Sequence, residues 1–228
     1  MKKKIALLLV LALILSEISL NINETAGFIL YSVLVALCLL SLSHVKSLDE
    51  TDKLIIVFII IPIVRITESF ITLGLFWKII ISYSILLFLS FYYSIRFKLD
   101  HGHKKEKLSL LPFAIVVGIC LGVAGNYFFS FNKYSWFIYL IPFIAYSEEI
   151  LFRGMIQNLA KKSYGINVSI LITALLYGIF RLGHGLLFAL FILFVGIIIG
   201  IIYDSTKNIF LAVAINLILH YLLFVFPK

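Results

Sequence analysis

Long runs of apolar residues dominate the chain, and short polar stretches separate them. A helix needs about 20 residues to cross the hydrocarbon core of a membrane, with a range of roughly 17–25. By this measure the pattern predicts about eight or nine helices. Their approximate bounds are 5–20, 27–42, 54–76, 77–95, 110–131, 136–160, two helices within 166–203 with a break at 182–185, and 209–226.

The composition requires a lipid environment. Of the 228 residues, 63% are hydrophobic and only 13% are charged, whereas an average soluble domain is about half apolar and about one quarter charged. A chain of this length cannot hide such an excess in one core, because much of its surface stays exposed. We therefore predict an all-α, polytopic transmembrane helical bundle: a multi-pass integral membrane protein surrounded by membrane lipids.

The formal net charge of +8 comes from basic residues that lie mostly between the apolar runs. If every run crosses the membrane once, the basic segments fall on one side: Lys2 to Lys4, Lys46 with Lys53, residues 96–107, and Lys161 with Lys162. Loops rich in lysine and arginine stay in the cytoplasm, so the amino terminus is predicted to be cytoplasmic. The charge is explained by anionic headgroups, and no nucleic-acid partner is expected.

A single polar stretch of some length, residues 96–109, offers a division of the chain. We predict an amino-terminal unit, residues 1–109, of transmembrane helices and a basic cytoplasmic loop. Residues 110–228 then form the helical core that carries the chemistry. His101 and His103 within the loop are interpreted as part of a solvated polar segment, because two histidines without a third fixed ligand make a weak metal site.

Charged side chains at bilayer depth are costly, so each one is a candidate for function. Arg65 and Glu68 are spaced i, i+3 and can form an ion pair on one helix. The functional alternative is that the two side chains line a cavity. Glu17 and Asp204 lie near the ends of predicted spans, within reach of water. Arg181 is expected to extend its guanidinium to an interface.

The most informative group is Glu148 and Glu149 inside an apolar helix. Glu149 stands four residues before Arg153, which places the two on one face in the better order for a helical ion pair. Glu148 lies about 100° around the helix and has no basic residue one turn away. The structural alternative is that both acids pair with basic residues of other helices. A third interpretation is a proton relay in a small transporter, although the chain shows no repeated halves.

Two further groups favour catalysis. His184 stands between glycines where the long apolar run breaks, and Asn216 and His220 are spaced i, i+4 on the last predicted helix. A carboxylate pair with two histidines and an asparagine predicts a catalytic constellation. Glu148 would be the base for a water, and the other three would be proton donors or oxyanion stabilisers.

The spacing Glu148-Glu149-x-x-x-Arg153, followed by Phe180-x-x-x-His184 and a polar pair on a later helix, resembles the CAAX protease and bacteriocin-processing (CPBP) family. These intramembrane proteases are related to the Ras-converting enzyme, and the resemblance covers residues 136–221, under half of the chain. It implies a membrane enzyme that cleaves peptides near the bilayer, including the last three residues of prenylated proteins.

The resemblance also implies roles for these residues. The first glutamate, Glu148, is expected to activate the attacking water, and Glu149 with Arg153 forms the supporting ion pair. His184 is expected to help hold the water or polarise the carbonyl.

The third motif departs from the family pattern. The family usually has a histidine followed four residues later by asparagine or aspartate, whereas here Asn216 precedes His220. The asparagine thus stands at the position of the family's histidine, and the histidine stands one helical turn later, at the position of its asparagine. Both types donate hydrogen bonds, so an oxyanion site can survive with altered geometry, but an error of about 1 Å can cost roughly 100-fold in rate.

The sequence therefore predicts a glutamate-dependent intramembrane endopeptidase that acts on a membrane-associated peptide, with lipidated CAAX-type ends among the candidates. A catalytically silent membrane protein of the same fold, which binds peptides or stabilises a partner, is the alternative. We expect no cofactor. Glu149, His184 and His220 are the residues that could hold zinc, but a metal-free reaction is favoured because Glu149 is committed to Arg153. We also expect a polar cavity at Glu148 that opens towards the cytoplasm.

Overall fold

The structure is a computed structural model that describes residues 2–43, 48–99, 105–129 and 137–225. These residues form a bundle that includes eleven α-helices, which confirms the predicted all-α fold. The helices are α1 (Lys2–Ile22), α2 (Glu24–Ser43), α3 (Glu50–Phe58), α4 (Ile60–Phe70), α5 (Leu75–Phe97), α6 (Leu111–Phe128), α7 (Phe137–Glu149), α8 (Asn158–Tyr164), α9 (Ile166–Ile179), α10 (Leu186–Thr206) and α11 (Ile209–Phe224). His101 and His103 lie outside the described residues.

Nine predicted runs become eleven helices because two of them are divided. The third run breaks at Ile59 between α3 and α4, since Pro62 lacks an N–H and its ring clashes with the carbonyl of Phe58, four residues earlier. The sixth run continues from α7 to α8 through a π-helical segment, Ile150–Gln157. π-Helical turns are rare and often mark functional sites, and this one directly follows the two glutamates.

A proline in α7 is accommodated by a neighbouring helix. Pro142 lies inside α7, where its ring frees the carbonyl of Ile138 from the helical ladder. The hydroxyl of Tyr221 on α11 donates a hydrogen bond to that carbonyl over 3.2 Å. In a membrane, freed backbone groups are satisfied by neighbouring helices in this way. The contact holds α11 against the helix that carries both glutamates.

The surface is that of a membrane protein. Within the described residues, four helical stretches are long and apolar enough to cross a bilayer: Lys4–Ile22, Leu75–Phe97, Leu108–Phe128 and Leu186–Thr206. Large apolar side chains such as Leu8, Phe88 and Val116 are more than half exposed on outward faces. Exposed apolar surface on this scale needs lipid around it, so the chain is an integral membrane protein, as predicted.

One end of the bundle is marked by several lysines paired with acids. At one end Lys161 pairs with Asp204 at 2.6 Å, and Lys162 pairs with Glu50 at 3.3 Å. Lys53 and Lys207 lie at the same end, which we call the lysine-rich end. The opposite end is formed where α4 and α11 end and where α2 and α7 begin, as the ring contacts of Phe70 with Phe28 and of Phe224 with Phe137 show.

The break predicted at 182–185 is observed at this opposite end. Leu182–His184 forms a 3₁₀ turn between α9 and α10, and Gly185 follows with φ of 105°, a conformation that favours glycine. α9 and α10 pack closely on each other below the turn. A Cβ on Gly178 would lie 2.7 Å from the carbonyl oxygen of Ala189, so this approach needs a glycine.

Candidate active site

The two glutamates lie at the end of α7, where the π-helical segment begins, and both side chains are completely buried. The π-helical segment packs against helices of both halves of the chain, namely α3, α5, α9, α10 and α11. The site is therefore assembled from residues far apart in the sequence. The predicted division at residue 109 stays a prediction.

Glu148 accepts hydrogen bonds from three other helices and from the turn after α9. The hydroxyl of Tyr83 donates to Oε1 over 2.7 Å, and Nη2 of Arg181 donates to the same oxygen. Oε2 accepts from Nδ2 of Asn216 over 3.2 Å, and it lies 3.2 Å from the hydroxyl of Tyr177, whose single proton it shares with Oδ1 of Asn216. The expectation that Arg181 extends to an interface is wrong, because its guanidinium pairs with Glu148 inside the bundle. This pairing corresponds to the structural alternative that the sequence left open for Glu148.

Asn216 bridges the two carboxylates. Its Nδ2 donates to Oε1 of Glu149 over 2.9 Å as well as to Glu148, and its Oδ1 accepts from the hydroxyl of Tyr177 over 2.8 Å. Both amide hydrogens are thus used within the site. This geometry suits a residue that holds the two glutamates apart, rather than a donor to an oxyanion.

Glu149 and Arg153 form the ion pair that their spacing predicts. Nε of Arg153 lies 3.3 Å from Oε2 of Glu149, and both side chains are fully buried. The guanidinium also stacks over the ring of Tyr177 at 4.6 Å and donates to the carbonyl of Gly196 over 3.3 Å. Because a buried charge is costly without a partner, each residue of this pair requires the other.

His220 stands one helical turn beyond Asn216 and also reaches Glu148. Its Nε2 lies 3.5 Å from Oε2 of Glu148 and 2.9 Å from Nη2 of Arg181. A guanidinium can only donate, so Nε2 is the acceptor and the ring proton resides on Nδ1. The exchanged order of the third motif therefore leaves both residue types beside Glu148.

A cavity of about 310 Å³ adjoins this cluster. Its polar wall is formed by Arg65, Glu68, Tyr83, Arg181 and His184, and its apolar wall includes Leu75, Ile79, Phe137, Ile144, Phe180 and Phe224. Tyr83 and Arg181 thus face the cavity on one side and contact Glu148 on the other. The cavity-lining alternative for Arg65 and Glu68 is observed together with their predicted ion pair, at 2.7 Å.

His184 lies on the cavity wall, on the 3₁₀ turn, with its ring against those of Phe188 and Phe224. The turn, the first residues of α5 and α7, and the last residue of α11 all line the cavity. These features belong to the end opposite the lysine-rich end. The opening of the cavity towards the cytoplasm and the cytoplasmic amino terminus both stay predictions.

A second charged network supports the turn. Arg65 pairs with Glu17 at 2.6 Å, donates to the carbonyl of Phe180, and stacks over the ring of that phenylalanine at 4.2 Å. The expectation that Glu17 reaches water is wrong, because the residue is only 2% exposed and also accepts from Tyr31.

Two important residues, Tyr83 and Tyr177, were missed by sequence reasoning. They carry no sequence signal for a role, since tyrosines are common in such helices. Glu17 and Arg181 were recognised as charges in apolar helices but were assigned to water and to an interface. The signal for Arg181 was its position inside the second motif, directly after Phe180.

The described residues contain no group of three or more histidine, cysteine, aspartate or glutamate side chains that could hold a metal ion. Glu149, His184 and His220 are not brought together in this way. Glu149 instead contacts Arg153 and Asn216.

Comparison with known families finds a match for the segment that carries the two glutamates and the later motifs. Residues 130–222 match the family model described as Type II CAAX prenyl endopeptidase Rce1-like. This segment is similar to that family and comprises 93 of the 228 residues. The match confirms the resemblance drawn from the motifs and supports a membrane protease of the CAAX type. It includes Glu148, Glu149, His184 and the third motif, whereas Arg65 and Tyr83 lie outside it. No curated protein and no solved structure matches the chain.

Proposed function

We propose that this protein is an intramembrane endopeptidase that hydrolyses a peptide bond of a membrane-associated substrate, with Glu148 as the general base. The observation that carries the proposal is the position of Glu148. Its carboxylate is fully buried, collects donors from α5, α9 and α11, and lies directly behind two residues of the cavity wall. A carboxylate that served only the helix packing would not need to border a cavity.

In the proposed reaction the oxygen of a water attacks the carbonyl carbon of the peptide while Glu148 takes a proton from that water. The carbonyl oxygen becomes an oxyanion, which needs donors in a water-poor site. His184 is proposed to polarise this oxygen from the cavity wall, and His220 is proposed to support the site from beside Glu148 and Arg181. The C–N bond then breaks as Glu148 returns the proton to the leaving nitrogen.

Glu149, Arg153 and Asn216 are proposed to hold the base rather than to touch the substrate. The Glu149–Arg153 pair neutralises the second carboxylate, and Asn216 links the two acids. We propose that the reaction needs no metal, because Glu149 is committed to these partners. Chelator should therefore leave the rate unchanged. A loss with chelator that added zinc restores would contradict this part of the proposal.

The partners are proposed to be membrane lipids and a peptide that lies in or near the bilayer, with no nucleic acid. With the amino terminus in the cytoplasm, as the lysine distribution indicates, the cavity faces the other side of the membrane. We therefore propose that the substrate enters from the non-cytoplasmic side. Single cysteines placed at Gly183 and at Lys162 test this in sealed cells with a membrane-impermeant reagent: only the cysteine at 183 should react.

The function is tested by proteolysis after reconstitution into lipid vesicles, with lipidated and unlipidated peptides of the same sequence. Glu148→Gln keeps the shape of the side chain and removes the base, so the rate should fall by about 10²–10⁴-fold. Glu24→Gln, at an exposed position, is the matched control. Persistent cleavage by Glu148→Gln would refute the assignment. Peptide binding by the wild type without any cleavage would instead identify the catalytically silent alternative.

A further inference from the structure

The oxygen of Glu148 that contacts the cavity wall, Oε1, already accepts two hydrogen bonds. A carboxylate oxygen has about two lone-pair positions, and those of Oε1 are filled by Tyr83 and Arg181, which both line the cavity. The partners of Oε2, Tyr177 and Asn216, are not among the lining residues. A water that is to be deprotonated must itself donate to a carboxylate oxygen. For a water from the cavity that oxygen is Oε1, so Tyr83 or Arg181 must leave it before Glu148 can act as a base.

The two partners of Oε2 are fixed in place. Tyr177 and Asn216 are fully buried and hydrogen-bonded to each other over 2.8 Å. Asn216 is also tied to Glu149. Moving either residue would break several buried hydrogen bonds at once, which is costly in a membrane.

Arg181 is the donor that can leave. It stands at the start of the turn between α9 and α10, lines the cavity, and keeps 11% of its side chain exposed. Within the described part of the chain only its Nη2 is hydrogen-bonded, to Glu148 and His220. Nε and Nη1 are therefore available to a ligand in the cavity. Tyr83 also lines the cavity but is neutral, so an anion would draw it less strongly.

The ligand that competes best for a guanidinium is a carboxylate, since the two groups match in a planar, bidentate pair. A peptide substrate brings such a group at its carboxy terminus. The apolar wall of the same cavity, which includes Ile79, Ile144 and Phe224, suits apolar side chains next to that terminus. This step rests on the proposed function, because it takes the ligand to be the peptide substrate.

We propose that Arg181 locks Glu148 in the resting protein and exchanges it for the free α-carboxylate of the peptide substrate, so that binding releases the base. Arg181 is thus a positioning residue that selects substrates with a free carboxy terminus. The lock also keeps Glu148 from activating water when no substrate is bound. Tyr83, Tyr177 and Asn216 stay beside Glu148 and hold its orientation during the exchange.

The test compares two peptides of one sequence, one with an α-carboxylate and one with an α-carboxamide, on the full chain in vesicles. The wild type should prefer the carboxylate in kcat/KM by at least about tenfold, which corresponds to about 1.4 kcal/mol. Arg181→Gln should cleave both peptides at similar rates and the amide faster than the wild type does, because its base is no longer locked. Arg181→Lys should keep part of the preference, and Arg96→Gln, an exposed control on α5, should keep all of it.

Equal rates for the two peptides with the wild type would overturn the proposal. So would a folded Arg181→Gln that cleaves neither peptide or that keeps the wild-type preference. A binding measurement separates this proposal from the proposed function. The affinity of each peptide is measured for the variant Glu148→Gln and for the double variant Glu148→Gln with Arg181→Gln, and these measurements do not depend on cleavage. A carboxylate preference that disappears with Arg181 supports the ligand assignment even if the wild type proves inactive, and its absence refutes that assignment.

Discussion

Tyr83 on α5 donates a hydrogen bond to Oε1 of Glu148 over 2.7 Å, although the two residues are 65 positions apart in the sequence. Tyr83 lies outside the residues that match the Rce1-like family, and Glu148 lies within them. The amino-terminal helices therefore supply part of the environment of the proposed base.

Tyr83→Phe removes this donor and keeps the ring. We expect kcat to fall by about tenfold, a loss of about 1.4 kcal/mol that is typical of a hydrogen bond to a charged group. The fold should persist, because the ring still fills its place. Tyr92→Phe, at an exposed position on the same helix, is the control. If both variants matched the wild type, Tyr83 would have no part in orienting Glu148.

Arg65→Gln should loosen the turn that carries Arg181 and His184. Arg65 donates to the carbonyl of Phe180 and is itself held by Glu17, so its loss acts through the turn. We expect KM to rise and kcat to fall by about tenfold or more, since small displacements of a site are costly.

Glu17→Gln should change the kinetics in the same direction as Arg65→Gln, and the double variant should be no worse than Arg65→Gln alone, because the two residues form one network. Arg96→Gln is the control for a lost surface arginine. Additive effects of the two changes would show that Glu17 does not act through Arg65.

Arg153→Met should destabilise the protein strongly, because it leaves Glu149 buried without its charged partner. Breaking a buried pair from one side costs about 3–5 kcal/mol. The double variant Glu149→Gln with Arg153→Met removes both charges and should recover much of this loss. The thermal unfolding midpoint in detergent measures the effect. Lys53→Met, which breaks a partly exposed pair with Glu50, should cost only about 0–1 kcal/mol.

Gly178→Ala should destabilise the contact between α9 and α10. The added methyl would lie 2.7 Å from the carbonyl oxygen of Ala189 and 2.8 Å from Cβ of Leu193, and overpacking of this kind costs about 1–3 kcal/mol. Gly74→Ala is the control, because no atom lies within 4 Å of its added methyl. Equal unfolding midpoints for the two variants would contradict the close helix approach.

Most of the helices follow from the sequence, because each apolar run long enough to cross a bilayer has to satisfy its own backbone hydrogen bonds as a helix. The boundaries were less well predicted. The third run ends at Phe70 rather than near residue 76, and Pro62 divides it. The break near His184 was found correctly, since glycines on both sides of it interrupt an apolar stretch that is long enough for two spans.

By itself the sequence determined that this is a membrane protein, that Glu149 pairs with Arg153 one helical turn away, and that Glu148, His184, Asn216 and His220 are candidates for one site. These are local properties of spacing and composition. The tertiary structure decided which groups surround Glu148. Its contacts with Tyr83, Tyr177 and Arg181 depend on how separate helices pack and rotate, and no spacing within one helix encodes that. Glu149 pairs with Arg153 as its spacing predicts, but Glu148 is also paired, with an arginine from another segment.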